Sequence, residues 1–323
     1  MNGPARSGRD RRIYNILRFR AGERNLPMPQ MPSQCYVKRE TRSVFTPEHM
    51  PRLVYVTRTL PEDQSRPRIL HAHQDVAEIL LICGGSGRYL VGETFYDVGA
   101  GDLLLYNSGV VHDEFSSADD AIFSYCVAIA GLRLPGLEEN ALIARGTPPL
   151  LRMGAEAEDL RLLMDMMYRY LLEDRPGCES LSHHLMLALL GRIYQLTGDA
   201  PRREQAEPKT LGRQVQAFID GHFSEPLTLQ DMGKALHVSP YYLSHVFKEA
   251  SGYSPTQYLL RRRIGEAQNL LITTDLPMAK IAEQVGFETQ NYFNLQFSKH
   301  VGMPPGKYRE SFVGKKRGGP ERE

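Results

Sequence analysis

The stretch Leu227–Arg309 decides how this chain is read, because it is one unit written twice. The first copy runs Leu227-Thr-Leu-Gln-Asp-Met-Gly-Lys-Ala-Leu-His-Val-Ser-Pro-Tyr-Tyr-Leu-Ser-His-Val-Phe247, then Gly252-Tyr-Ser-Pro255 and Tyr258. The second runs Leu276-Pro-Met-Ala-Lys-Ile-Ala-Glu-Gln-Val-Gly-Phe-Glu-Thr-Gln-Asn-Tyr-Phe-Asn-Leu-Gln-Phe297, then Gly302-Met-Pro-Pro305 and Tyr308. Leu227, Met232 and Leu236 match Leu276, Ile281 and Val285 at an offset of 49, whereas Leu243, Phe247, Gly252, Pro255 and Tyr258 match their counterparts at an offset of 50. The change falls between the two halves of each copy. One extra residue confined to a turn is what two copies of one fold should show.

Each copy reads as helix, turn, helix. Thr228 with Asp231 three residues on has the spacing of a capping box, and Met232 and Leu236 share a helix face. Ser239-Pro240 offers an N-cap hydroxyl and a proline with no N–H to lose. Leu243 and Phe247 form the inward face of the second helix, as do Phe293 and Phe297 in the second copy. Gly286 suits a left-handed turn, and Gly233 and Ala282 are matched small residues where two helices can cross closely. Such a unit is either a helix-turn-helix, whose second helix enters the DNA major groove, or a small helical bundle without a ligand. Duplication with matched caps and matched Gly-x-x-Pro favours the helix-turn-helix.

The segment resembles the AraC/XylS family of transcription regulators. Its connecting helix carries Arg263-Ile264, Ala267 and Leu270-Leu271, and its second copy carries Ile281-Ala282, Val285-Gly286-Phe287, Tyr292-Phe293, Phe297 and Tyr308-Arg309, all at family positions. It departs at Leu295, Ser298 and Met303, where the family commonly has Arg, Lys and Thr or Ser. Those departures weaken the expected phosphate contacts of the second motif.

The chain has 323 residues, which suits two domains better than one. Its net charge of +1 is unevenly spread. Residues 205–317 hold 14 Lys+Arg against 10 Asp+Glu, and residues 33–145 hold 10 against 15. The basic half is the one with the duplicated motif, the sign that phosphate neutralisation requires. Cys35, Cys83, Cys126 and Cys178 form no C-x-x-C pair, which fits a reducing cytoplasm. Apolar runs such as Ile79–Cys83 are too short to cross a bilayer, so no membrane association is expected.

Residues 1–32, with seven arginines and two acidic residues, read as a disordered leader or a DNA-touching arm, and Met28 and Met31 leave open a later start. From Val37 to Leu134, short β-rich runs are broken by Gly, Pro and Asp: Leu53–Thr57, Ala77–Cys83, Gly87–Val91, Thr94–Asp97, Asp102–Tyr106 and Ala121–Ala128. That spacing predicts a sandwich or barrel. Within it, His71-Ala-His73, Glu78 and Gly85 are followed by Gly101, Asn107-Ser-Gly109 and His112. This constellation resembles the two cupin motifs, with Asn107 where proline is usual. The resemblance brings His71, His73, Glu78 and His112 together, either as ligands of a divalent transition metal or as the lining of an organic-effector pocket. The organic pocket is the expectation, with no cofactor required and the metal as its alternative.

Residues 146–197 carry Leu160, Leu163, Met164, Met167 and Leu171, then Leu185, Leu189, Leu190 and Ile193, at helical spacing either side of Arg175-Pro-Gly177. They read as a helical hairpin, packed on the barrel or forming a dimer seam. Solvent exposure is the expectation for His183-His184. Residues 198–210 read as a linker, 211–312 as the double helix-turn-helix domain, and 313–323 as a tail.

The fold expected is therefore multidomain: a cupin-like β-barrel over 33–145 with a helical pair, then an all-α domain with two helix-turn-helix motifs. The function expected is sequence-specific regulation of transcription, controlled by a small molecule in the barrel and without catalysis. A metal-dependent cupin enzyme or a metal sensor with a DNA-binding appendage is the alternative. Tyr241, Ser244, His245 and Lys248 in the first recognition helix, and Gln290, Asn291, Asn294 and Leu295 in the second, are the candidates to face double-stranded DNA. Arg261 and Arg262 on the connecting helix are candidates for phosphate. The family resemblance adds a homodimer, a sugar or related metabolite as effector, and RNA polymerase as a further partner.

Overall fold

The computed structural model describes residues 44–61, 69–115, 122–198 and 210–313. The expected leader, nearly all of the expected linker and tail, and Cys35 lie outside the described residues.

Among the described residues, the strands between 52 and 152 form two antiparallel sheets. The larger has the order β1-β7-β2-β5-β8, built from β1 (Arg52–Thr59), β7 (Phe123–Ala130), β2 (Val76–Gly84), β5 (Asp102–Tyr106) and β8 (Leu150–Arg152). The smaller has the order β4-β3-β6, from β4 (Thr94–Gly99), β3 (Ser86–Val91) and β6 (His112–Phe115). The apolar run in β2 is continuous because both of its faces are covered. Ala77, Ile79 and Leu81 share one core with two helices outside the sheet. Leu80 and Ile82 point the other way, into a core shared with Tyr89, Val91 and Val98 of the small sheet. Side chains alternate along a strand, so consecutive residues serve opposite layers.

Two strands carried no strand signal. β8 lies beyond residue 145, where the barrel was expected to end, and is three residues long behind Pro148-Pro149. β6 reads His-Asp-Glu-Phe, a polar string, because its first two side chains serve a buried cluster and a domain interface instead of a hydrophobic core.

The outer helices are α1 (Ala157–Glu173) and α2 (Cys178–Thr197). Leu160, Met164 and Met167 of α1 and Met186, Leu189, Leu190 and Ile193 of α2 are buried against the large sheet. Their apolar stripe is thus spent on the barrel, and Leu162, Leu172 and Leu181 remain exposed on the outside. Among the described residues Cys83, Cys126 and Cys178 are free thiols, and burial pushes that of Cys83 up to about 11.

The C-terminal half runs α3 (Leu211–His222), α4 (Leu229–Ala235), α5 (Pro240–Ser251), α6 (Pro255–Thr273), α7 (Met278–Gln284), α8 (Gln290–Val301) and α9 (Pro305–Val313). Local chemistry sets these boundaries. Thr228 and Asp231 form the capping box, Ser239 accepts from the Tyr242 N–H with Pro240 behind it, and Thr289 does the same for Tyr292. The extra residue of the second copy lies in the turn, 285–289 against 236–239. His237 (φ 58°) occupies the left-handed position that Gly286 (φ 87°) occupies in the second copy. A Cβ at Gly286 would lie 2.9 Å from the carbonyl oxygens of Phe223 and Ser224, so glycine is required there. Gly233 is equally confined, but by the turn of its own motif: a Cβ would meet the Val238 carbonyl oxygen at 2.8 Å.

The two halves do not stand apart. Ile69, Leu70, Ala72, Leu90 and Val111 of the barrel share one core with Val215, Leu259, Ile264 and the buried residues of both helix-turn-helix motifs. Helix α6 lies directly on the segment 69–72: a Cβ at Gly265 would sit 2.0 Å from the Leu70 carbonyl oxygen. The Ile69 N–H donates to Gln268 Oε1 at 2.9 Å, and Asn269 Nδ2 donates to the Ala72 carbonyl at 3.3 Å. Arg213 of α3 adds an ion pair with Glu93 at 2.9 Å.

Candidate DNA-reading surface and ligand site

The two candidate recognition helices are α5 and α8, and their burial repeats residue by residue from 241–247 to 291–297. Leu243 and Phe247 are fully buried in one, Phe293 and Phe297 in the other. That inward pair turns the opposite face outward. Tyr241 is 84% exposed and Leu295 is 63% exposed. His245, Lys248, Gln290 and Asn291 are exposed, while Ser244 and Asn294 are half-buried at equivalent positions. All eight candidates therefore lie on helix faces open to a partner. Amides at 290, 291 and 294 have the donor–acceptor pair that matches adenine, and Leu295 has only apolar contact to offer.

The two arginines expected on phosphate lie elsewhere, and the expectation is corrected. Arg262 is 3% exposed; its guanidinium sits over the Phe223 ring and pairs with Glu266 at 3.0 Å and Asp220 at 3.6 Å. Arg261 turns towards the barrel, where its Nε and Nη2 donate to Asp113 Oδ2 at 3.1 and 2.5 Å. Asp113 and Asp220 are distant in sequence, which local charge spacing could not reveal, whereas Glu266 is the i+4 neighbour of Arg262. Arg263 is structural too, donating to the Phe223 and Glu225 carbonyls at the end of α3. Arg309 fastens α9 in the same manner, onto the Leu271 and Leu276 carbonyls.

Inside the barrel, His71, His73, Glu78 and His112 come together, with one donor atom of each within 4.8 Å of the others. His71 and His112 face each other across an antiparallel bridge that joins the segment 69–73 to β6. His71 Nδ1 lies 2.8 Å from the Ile69 carbonyl and His112 Nδ1 lies 3.0 Å from that of Val110. Since a carbonyl only accepts, each Nδ1 carries a proton and each lone pair is on Nε2. Glu78 Oε2 is 3.5 Å from His73 Nε2 and 3.3 Å from His112 Nε2, and its Oε1 accepts from the Tyr55 hydroxyl. Asn107, which replaces the usual proline, is a structural brace: its amide donates to the Ile143 carbonyl and its oxygen accepts from the Leu142 N–H.

A cavity of about 450 Å³ opens above this cluster, lined by His71, Glu78, His112, Arg58, Tyr106 and Ser124, among others. Tyr106 stacks on His112 at 4.1 Å, its hydroxyl is buried without a hydrogen-bond partner among the described residues, and burial drives its pKa well up. Ser311 and Phe312, from the end of α9, also line the cavity. Sequence reasoning missed them, as it missed Gly265, Gln268 and Asp113, because none belongs to a local motif. His183 is half-buried and His184 exposed on α2, and neither belongs to the cluster.

Residues 54–190 match the model of the AraC-like ligand binding domain, and residues 232–311 match that of a helix-turn-helix domain. An uncharacterised HTH-type transcriptional regulator, YdiP of Escherichia coli K12, is 27% identical over 245 residues, 75% of this chain and 81% of that protein. The HTH-type transcriptional activator RhaR of Klebsiella pneumoniae is 27% identical over 256 residues, 74% of this chain and 86% of its own length. Among solved structures, the C-terminal domain of the two-component response regulator yesN from Fusobacterium nucleatum is 40% identical, covering 30% of this chain and 95% of that one with a TM-score of 0.30.

Proposed function

This chain belongs to the AraC family of DNA-binding transcription regulators and carries an N-terminal ligand-binding domain, and from that premise we propose how it reads DNA and what controls it. The two recognition helices sit in successive major grooves on one face of the duplex, about one helical turn apart. Tyr241, Ser244, His245 and Lys248 serve one half-site, and Gln290, Asn291, Asn294 and Leu295 serve the other. The matched exposure of α5 and α8 is the observation that carries this reading.

The controlling molecule occupies the barrel cavity, whose volume suits a small metabolite. Arg58, Tyr106, Ser124 and the histidine–glutamate cluster favour a hydroxyl-bearing compound of sugar size. The barrel binds that compound without converting it. Genome-wide mapping of the occupied sites, followed by operator titration with metabolites of the neighbouring genes, tests the whole reading. A metabolite that is consumed on incubation with the protein would move the barrel to the enzyme class.

The homodimer belongs to the same proposal and rests on Leu162, Leu172 and Leu181, exposed on the outer face of the helical hairpin. Sedimentation of Leu172→Glu as a monomer, beside a dimeric parent, is the expected result. RNA polymerase is the further partner this reading names. No helix among the described residues is long and apolar enough to cross a membrane.

A further inference from the structure

We propose that the cleft between the barrel and helix α3 is a second binding site, separate from the barrel cavity, and that it takes a short aliphatic diamine. The site does not depend on what the barrel cavity holds.

The cleft has a volume of about 500 Å³ and is walled by the β3–β4 hairpin, the segment 143–149 and α3. Among the described residues it shares no lining side chain with the barrel cavity. Helix α3 presents Arg213, Gln216, Ala217 and Asp220 to it, the three- and four-residue spacing that puts side chains on one helix face. At 1.5 Å per residue, Arg213 and Asp220 lie about 10 Å apart along the axis. Each end of that face carries a carboxylate. Glu93 of the hairpin stands at one end, 2.9 Å from Arg213 Nε, and Asp220 stands at the other.

The acceptors here outnumber the charges that answer them. Arg145 pairs with Glu138 at 2.7 Å, Arg213 with Glu93 at 2.9 Å, and Arg262 divides between Glu266 at 3.0 Å and Asp220 at 3.6 Å. One negative charge is left over, and Asp220 has the longest of these contacts. Burial raises the Asp220 carboxyl to about 6, and raises that of Glu93, in spite of their arginines. Gln216, 7% exposed, adds a third acceptor: its Nε2 donates to the Gly92 carbonyl at 3.3 Å, and its buried Oε1 has no hydrogen-bond partner among the described residues. A buried acceptor without a donor costs free energy that a bound donor recovers. An ammonium group brings three N–H donors and no acceptor. Two of them joined by a short chain match the carboxylates at the two ends of the face, and Val91, Val110, Ile143 and Ala217 give the chain apolar contact.

The test titrates the full chain with 1,4-diaminobutane, butylammonium and butyrate, followed by saturation-transfer NMR. Salt at about 0.15 M screens loose association with surface carboxylates. Saturable binding of the diamine is expected, with a dissociation constant on the order of 0.1–1 mM, tighter than butylammonium and with butyrate unbound. Asp220→Asn and Glu93→Gln keep the side-chain shape and should each weaken the diamine about tenfold. They lie on opposite halves of the molecule, so either one decides if the other fails to fold. Absence of saturable binding, butyrate bound as tightly as the diamine, or unchanged affinity in these variants overturns the site. Butylammonium bound as tightly as the diamine overturns the two-ended match. Loss of binding in Glu78→Gln would move the diamine to the barrel cavity and overturns the site as well.

Discussion

His112 and Asp113 are neighbours on one strand and serve opposite sides of it. The His112 ring lies in the barrel cluster, 3.3 Å from Glu78, while the fully buried Asp113 carboxylate accepts from Arg261 and Tyr253 of the DNA-binding half. Strand alternation makes this inevitable once His112 faces inward. Burial pushes the Asp113 carboxyl up, against the opposing pull of Arg261 and Tyr253. The histidine–glutamate cluster and the interdomain contact are thus one residue apart.

Gly265→Ala should separate the halves without unfolding them. Alanine favours a helix interior by about 1 kcal/mol over glycine, so α6 itself should be strengthened. The added methyl would nevertheless lie 2.0 Å from the Leu70 carbonyl oxygen, a backbone atom that cannot turn aside. Small-angle scattering should report a larger radius of gyration at unchanged helix content. An unchanged radius would show that the contact yields cheaply.

Asn294→Ala should cost about 1–3 kcal/mol on the cognate site and relax preference at one or two base pairs. Arg262→Ala is expected to act through the fold. Removing one partner of a buried ion pair typically costs about 3–5 kcal/mol, so thermal denaturation should show the loss. If Arg262→Ala left stability intact and flattened the salt dependence of DNA binding, phosphate contact would be restored as its role.

The two half-sites should contribute unequally. Leu295 projects from α8 where the family commonly has a cation, and each lost phosphate contact removes about 0.9 from the salt slope. Scrambling the half-site under α5 should therefore weaken binding more than scrambling that under α8. Equal losses in a band-shift titration would refute the asymmetry.

Asp220 should make stability fall as pH rises through the acid range. Burial raises its carboxyl from 3.8 to about 6, opposed by Arg262, Tyr258 and Gln216. The folded state then binds the proton more tightly than the unfolded chain, so the penalty is absent below about pH 4 and complete above about pH 6. Two units correspond to about 3 kcal/mol at most. Asp220→Asn should flatten this slope in denaturant titrations between pH 4 and 6.5, and a slope surviving the substitution would assign it to another group.

Short-range chemistry was legible in the sequence by itself. The capping residues Thr228, Asp231 and Ser239, the inward pairs Leu243–Phe247 and Phe293–Phe297, and the extra residue in the second turn all follow from rules that act over a few positions. The short β-rich runs broken by Gly, Pro and Asp predicted a sandwich or barrel, and the resemblance to the cupin motifs brought His71, His73, Glu78 and His112 together in it. Tertiary structure decided what those rules do not reach. It sent Arg261 to a carboxylate 148 residues away, seated Gly265 on a barrel carbonyl, and brought Phe312 to the cavity wall. A linker read between the halves implied independence, but an exposed apolar surface on each is stabilised by meeting the other. Periodicity shows that such a face exists; only the folded chain shows which face it meets.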